Sequence, residues 1–178
     1  MPAVAAGASG GAMDRRRSTI ANALDGAIAG AAATWLMGKL TSYLYAREDP
    51  RAKERENQAR HGRTAYGVAA EKIARLAGRS LSDEQRRRYG ERIHWALGAS
   101  TGAAYAVLRE RAPAVAAARG LLFGTTFFLL MDEGLVAALG LTPGPSHFPW
   151  QTHARGLAGH IAYGAATESA LSLLEGRA

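Results

Sequence analysis

Apolar and charged residues are segregated along this chain. Between residues 47 and 92 Arg, Lys, Glu and Asp crowd together, whereas residues 120–154 carry only Asp132 and Glu133 as fixed charges. Outside the charged region lie four Gly/Ala-rich apolar stretches, at 20–46, 93–108, 120–141 and 156–174. A straight transmembrane helix needs about 20 mainly apolar residues, which 120–141 supplies and 93–108 does not. That second stretch gains length upstream, because Ser82-Asp83-Glu84-Gln85 is a capping-box start from which one helix runs to about Arg111. Its first turns stand in water. The pattern predicts an all-α fold, an integral-membrane four-helix bundle with a charged helical insertion between the first two spans. In domain terms, residues 1–19 form a disordered basic tail, and 20–178 form a single membrane domain that carries the polar insertion 47–92.

The apolar stretches also read as two copies of one helical hairpin. Residues 94–108 (HWALGASTGAAYAVL) and 160–174 (HIAYGAATESALSLL) match without gaps at His94/His160, Gly98/Gly164, Thr101/Thr167 and Leu108/Leu174. The helices before them align as Gly26/Gly120, Gly30/Gly124, Leu36/Leu130 and Met37/Met131. Ala and Gly periodicity imitates a repeat cheaply, so the His, Gly and Thr matches carry most of this expectation. With an even number of spans each, the two hairpins would share one orientation in the membrane.

A soluble Ala-rich bundle competes with this picture, because overall hydropathy is slightly negative. Against it stands GLLFGTTFFLLM at 120–131, which is apolar on every face of a helix and belongs in a core or in lipid. Cysteine is absent, so disulfides and thiolate metal sites are excluded.

Arg15, Arg16 and Arg17 follow an Ala/Gly tract and precede the first stretch. That order suits the flank of a membrane anchor, not a secretory signal, whose basic residues come before its apolar region. The order leaves Met1 and Met13 as alternative starts, and N-terminal sequencing that began at Met1 or Pro2 would dispose of Met13. Residues 47–92 hold 13 basic and 8 acidic residues, a mildly basic mixture that suggests lipid headgroups more simply than nucleic acid. Within it Ala65, Val68, Ala69, Ile73 and Leu76 recur at helical spacing. The Lys/Arg excess of the insertion argues that it is cytoplasmic. Arg15 to Arg17 with Arg109, Arg111 and Arg119 argue instead that both termini are, and the absence of Lys and Arg from residues 142–154 favours this second orientation.

In lipid, helices associate through close backbone approach at small residues. Gly26, Gly30 and Gly38 with Thr34, Gly98 with Gly102, Gly120 with Gly124, and Gly156 with Gly164 are the expected packing seams. Contacts within one chain are the simpler use of such motifs; a homo-oligomer face is the other.

The candidate chemistry lies in ionisable residues inside the apolar stretches, where a charge usually faces a partner, a cavity or an ion path. Lys39, His94, Asp132, Glu133, His160 and Glu168 form the expected polar intramembrane cluster, with Asp25 apart from it. Antiparallel hairpins put the first five in one leaflet, and Glu168 lies two turns beyond His160 on the same helix face. The repeat pairs Lys39 with Glu133 and so predicts an ion pair between them. Mutually satisfied charges that lock the hairpins together are the plainest reading of the cluster. A proton or ion pathway is the alternative. A divalent-metal site of His94, His160, Asp132 and Glu168 is a weaker one, unsupported by any tight ligand spacing. Gly98-Ala99-Ser100-Thr101-Gly102 fits GxSxG, and Asp132 and His160 follow in hydrolase order, but the motif acts only on a strand-to-helix turn. No phosphate loop or dinucleotide fingerprint is present.

Residues 140–143 (GLTP), Pro149-Trp150, Gly159-His160 and Glu168 resemble the closing region of the YagU-like bacterial inner-membrane proteins. Residues 109–113 (RERAP) and 120–124 (GLLFG) are similar to the same family. The resemblance runs from about Ile93 and leaves the charged insertion outside. It implies an inner-membrane location and an uncharacterised activity, and it supplies no catalytic residues. In the interfacial loop Pro143, Pro145 and Pro149 stiffen the chain, Trp150 suits the membrane interface, and His147 and His153 add titratable groups. The expected protein is a multi-pass component of the bacterial inner (cytoplasmic) membrane, structural or stress-related. It is expected to be no enzyme and to need no cofactor or metal. Membrane lipids are its expected partners, with a homo-oligomer as an option and no nucleic acid. A small proton or ion transporter or channel is the alternative.

Overall fold

The computed structural model describes residues 7–176, with side chains from residue 19 onward. In chain order the elements are α1 (Gly7–Arg47), α2 (Pro50–Arg60), α3 (Ala65–Leu76), α4 (Asp83–Arg111), a 3-10 stretch (Pro113–Gly120), α5 (Leu121–Leu130), a π-helical turn (Met131–Leu135), α6 (Val136–Ala138), a short 3-10 turn (Pro145–His147) and α7 (Trp150–Glu175). The fold is all-α, a helical bundle. Of the tail expected at 1–19, residues 1–6 lie outside the described residues. From Gly7 the backbone is already in α1, in keeping with the Ala, Met and Arg there, which are good helix formers.

Local chemistry sets the boundaries. Asp49 accepts from the backbone amides of Arg51 and Ala52, and Pro50 opens α2 where its missing N–H costs nothing. Thr64 caps α3 through the Gly67 amide. Ser82 and Gln85 form the reciprocal capping box that starts α4, and α4 ends at Arg111 as the sequence predicts. The connection to α5 is tight. Ala118, Arg119 and Gly120 take left-handed φ of 54°, 56° and 81°, and the turn presses Gly120 against Gly164.

α1 runs along both α4 and α7, and α5 lies on α7. α4 and α5 meet through the Tyr105 and Phe123 rings, 4.4 Å apart. Glycine makes the closest contacts. A Cβ on Gly102 would lie 2.6 Å from the Gly30 Cα, and one on Gly164 would lie 2.9 Å from the Gly124 amide nitrogen. Gly26 and Gly98 belong to the α1–α4 seam, facing Gly102 and Thr34, and Gly120 to the α5–α7 seam. Gly38, expected in the first seam, has open space where its Cβ would sit. There α1 has turned its contacting face to α7, with Met37 and Thr41 against Gly159. Between the seams Tyr105, Tyr163 and Thr167 are the largest fully buried side chains. Tyr163 crosses from α7 to donate to the Gly98 carbonyl at 2.6 Å.

Two helical stretches, Thr19–Arg47 and Pro113–Ala138, are long and apolar enough to cross a membrane. Four were expected. The other two fall short for compositional reasons. α4 begins with ten residues of which seven are charged, and α7 dilutes its apolar positions with Gln, Thr, His, Arg, Glu and Ser.

The charged insertion folds back over the end of the bundle where α1 stops and α7 begins. Lys72 donates from α3 to the Leu139 carbonyl at 2.7 Å, and the Thr152 hydroxyl of α7 donates to Glu56 of α2 at 3.1 Å. The Arg60 guanidinium stands 5.1 Å from the Phe148 ring. α3 is seated on α4 through another glycine contact, since a Cβ on Gly90 would come within 2.9 Å of the Gly67 amide nitrogen. The insertion is a cap.

Candidate functional site: a capped polar chamber

Under the cap is a cavity of about 430 Å³. Its walls come from every part of the chain: Met37, Thr41 and Tyr45 of α1, Glu56 and Arg60 of α2, Tyr66 of α3, His94 of α4, Asp132 and Glu133 of the π turn, and Thr152, His153, Arg155 and His160 of α7. The π turn contributes both of its carboxylates, in keeping with the tendency of such turns to occur at functional positions.

At the rim, Arg155 binds Glu48 and Glu56, the latter at 2.6 Å, and Arg60 adds a 2.9 Å bond to Glu56. Solvent reaches only 11 % of the Arg155 side chain and 7 % of Glu56. Burial alone would push the Glu56 carboxyl up, but the hydrogen bonds and charges of Arg155 and Arg60 outweigh it and hold the group below its ordinary value. Burial likewise works against the charged Arg155, and bonding to Glu56 and Glu48 more than restores it, so its pKa is raised. Both groups stay ionised through the physiological range. Tyr66 stacks on His94 with ring centroids 4.6 Å apart. Burial, helped by the Asp132 charge, pushes its phenol up to about 12.

Deeper in, His153 Nδ1 meets Glu133 Oε1 at 2.6 Å. His160 Nδ1 is 2.9 Å from the Gly156 carbonyl one turn earlier and 3.8 Å from Asp132 Oδ2. The backbone carbonyl accepts only if Nδ1 carries a proton. Phe127 and Phe128 pack against the same ring, with centroids at 5.2 and 5.6 Å. Among the described residues no group of three or more His, Asp and Glu is arranged to hold a metal ion.

Of the six residues expected to form one cluster, the structure brings His94, Asp132, Glu133 and His160 around this cavity. Lys39 is elsewhere. Met37 and Thr41 face α7, and a residue two positions from each lies on the opposite face of a helix, so Lys39 projects outward with its ammonium 5.7 Å from the Trp35 ring. The expected Lys39–Glu133 pair is therefore replaced by His153–Glu133. Glu168 also stands apart, about 12 Å further along α7 by helical rise. There it accepts from Tyr105 at 2.7 Å and Arg109 at 2.9 Å, and Arg109 reaches Glu175 as well. In the loop, Pro149 is buried at the start of α7, Pro143 is half-buried, and Trp150 is exposed. Gly98 to Gly102 lie mid-helix, with the Ser100 hydroxyl donating to the Ala96 carbonyl.

Glu48, Glu56, Arg60, Tyr66 and Arg155 are site residues that the sequence reading missed. α2 is polar on all faces, so nothing in its pattern marks Glu56 as buried. The Glu56–Arg60 spacing of four was the available hint.

Fold and site define a helical bundle whose charged cap closes a His/carboxylate chamber. Residues 49–169 match a family described as Protein of unknown function (DUF1440), and the chain belongs to that family. No curated protein and no solved structure matches the chain. The match begins at Asp49 and takes in α2 and α3. Structurally the cap supplies part of the chamber wall, including Glu56, Arg60 and Tyr66.

Proposed function

We propose that this chain is a multi-pass bacterial inner-membrane protein of the YagU-like kind, without enzymatic activity, serving as a structural or stress-related membrane component. The observation that carries the membrane part is the apolar surface of the two long stretches. Only 28 % and 17 % of their most apolar windows are buried, whereas the core helix of a soluble bundle is mostly buried. Ile20, Leu24, Ile28, Trp35 and Leu36 of α1, and Leu121, Leu122, Leu129 and Leu130 of α5, are large and exposed. Such continuous apolar bands suit lipid and would be an aggregation hazard in water. α4 and α7 complete the bundle as the shorter, more polar spans.

Two features support a structural role over conduction. The rim charges pair across segments, as expected of a latch. Between the chamber and the Arg109–Glu168 pair, Tyr105, Tyr163 and Thr167 fill the bundle, and the Tyr163 and Thr167 hydroxyls are committed to backbone carbonyls. The alternative, a small proton or ion transporter, draws on the three imidazoles that face the chamber at His94, His153 and His160.

Reconstitution in liposomes under an imposed pH gradient separates the two. Folded protein with no proton or cation flux above empty liposomes supports the structural reading. Flux that Glu168→Gln abolishes without loss of folded protein would replace it with transport. For the membrane part, resistance to alkaline carbonate extraction is the expected result, and release into the supernatant would overturn it.

A further inference from the structure

The cap presents a second recess, whose walls share no residue with the chamber. α3 buries Gly67 and Ala70 but leaves Ile73 60 % and Leu76 91 % exposed. Ile73 helps form a groove of about 570 Å³ between α3 and α4. Ile73, Leu81, Tyr89 and Ile93 give it an apolar floor, and Arg79 and Arg92 give it its only charges, with no carboxylate among its walls. Arg92 lies 5.5 Å from the Tyr89 ring, and neither arginine has an ion-pair partner among the described residues. Arg75 and Arg86, by contrast, both face Glu71.

The position of the groove bears on its occupant. α4 changes from charged to apolar between Arg92 and Ile93. Just beyond, Trp95 shares a shallow recess with Arg88, Glu91 and Arg92. Tryptophan, tyrosine and arginine at such a boundary are features of the headgroup level of a bilayer. A ligand suited to the groove must offer a negative headgroup to two free guanidinium groups and an apolar body to Ile73, Leu81 and Ile93.

We propose that the α3–α4 groove is a binding site for a single anionic phospholipid, with the phosphate held by Arg79 and Arg92 and the acyl region lying along Ile73, Leu81 and Ile93. This inference rests on the membrane reading given above. It adds a specific lipid contact, through which the cap is held on the bilayer surface. Charge complementarity selects the lipid class: a zwitterionic headgroup brings its own ammonium and loses the attraction that an uncompensated phosphate keeps.

The test uses the full chain, delipidated in neutral detergent and titrated with phosphatidylglycerol, phosphatidylcholine or glycerol phosphate, with bound lipid counted by native mass spectrometry. A basic residue near an anionic headgroup contributes roughly fivefold in affinity, so the two arginines together give about thirtyfold. Wild type is expected to prefer phosphatidylglycerol to phosphatidylcholine by that factor. R79Q/R92Q is expected to remove the preference, and R79K/R92K to keep most of it. I73Q should weaken the phospholipid and leave glycerol phosphate unaffected. Equal binding of the two phospholipids by wild type, or an unchanged preference in R79Q/R92Q of native helicity, overturns the proposal. Glycerol phosphate competing as well as the whole lipid also overturns it, in favour of a free-phosphate site. If the protein resists carbonate extraction yet shows no headgroup preference, the groove inference fails alone; if carbonate releases it, the membrane reading fails first.

Discussion

At the capped end, Arg155 lies between two carboxylates that come from a separate segment of the chain, Glu48 and Glu56. At the far end, Arg109 of α4 reaches Glu168 and Glu175 of α7. Each is one guanidinium between two carboxylates, yet the surroundings differ. All three groups of the first trio are nearly sealed from solvent, whereas Glu175 is mostly exposed. The far-end trio also joins two helices already packed in the bundle. The first joins α2 to the bundle beside the chamber, where α2 has few direct contacts with the bundle helices. Buried charge therefore matters most where packing is sparse, since stranding an unpaired ion costs more than losing a partly hydrated one.

Arg155→Ala should break this contrast most strongly. It leaves Glu48 and Glu56 buried without their shared partner, a loss of about 3–5 kcal/mol for such a pair. Chemical denaturation in detergent and faster amide exchange over residues 50–60 are the measurements. Little change in either would mean that the cap is held by something else. Next comes the glycine seam. Gly102→Leu forces α1 and α4 apart where backbones touch, at about 3 kcal/mol, whereas Gly38→Leu points into open space and should leave the unfolding midpoint unchanged. Equal effects from the two would remove the seam as a determinant of packing.

Glu168→Gln is expected to cost less, about 1–2 kcal/mol, because Arg109 keeps Glu175 and the amide oxygen still accepts from Tyr105. A loss as large as that of Arg155→Ala would erase the distinction between the two ends. The last effect is that of pH on the cap. The Glu56 carboxyl is held below its ordinary value of 4.5. Its contribution is therefore fully present above that value and is lost as pH falls through the lower folded-state pKa. Acid should speed amide exchange over residues 50–60 in wild type, and Glu56→Gln should flatten that response.

Much of the architecture was legible along the chain. Periodicity over residues 65–76 marked α3, and Ser82 to Gln85 placed the start of α4, because amphipathic spacing and capping are local properties. The glycine spacing pointed to seams at Gly26, Gly30, Gly98, Gly102, Gly120, Gly124 and Gly164. It misplaced Gly38 because the partner of a helix face changes along α1, which spacing does not encode. The polar cluster was half legible. His94 and His160, at the starts of the second and fourth apolar stretches, and the Asp132-Glu133 pair stood out as charges or imidazoles in apolar surroundings. Lys39 stood out for the same reason and faces away.

The sequence by itself determined the helical class, the start of α4 and the segregation of charge into the region that becomes the cap, all consequences of local preference and composition. Only the tertiary structure decided that this region folds back as a cap, that Glu56 of an all-polar helix is buried against Arg155, and that Glu133 pairs with His153. Those choices depend on which surfaces meet across some 20 to 107 residues, and a side chain's partner across such a separation is set by the packing of whole helices.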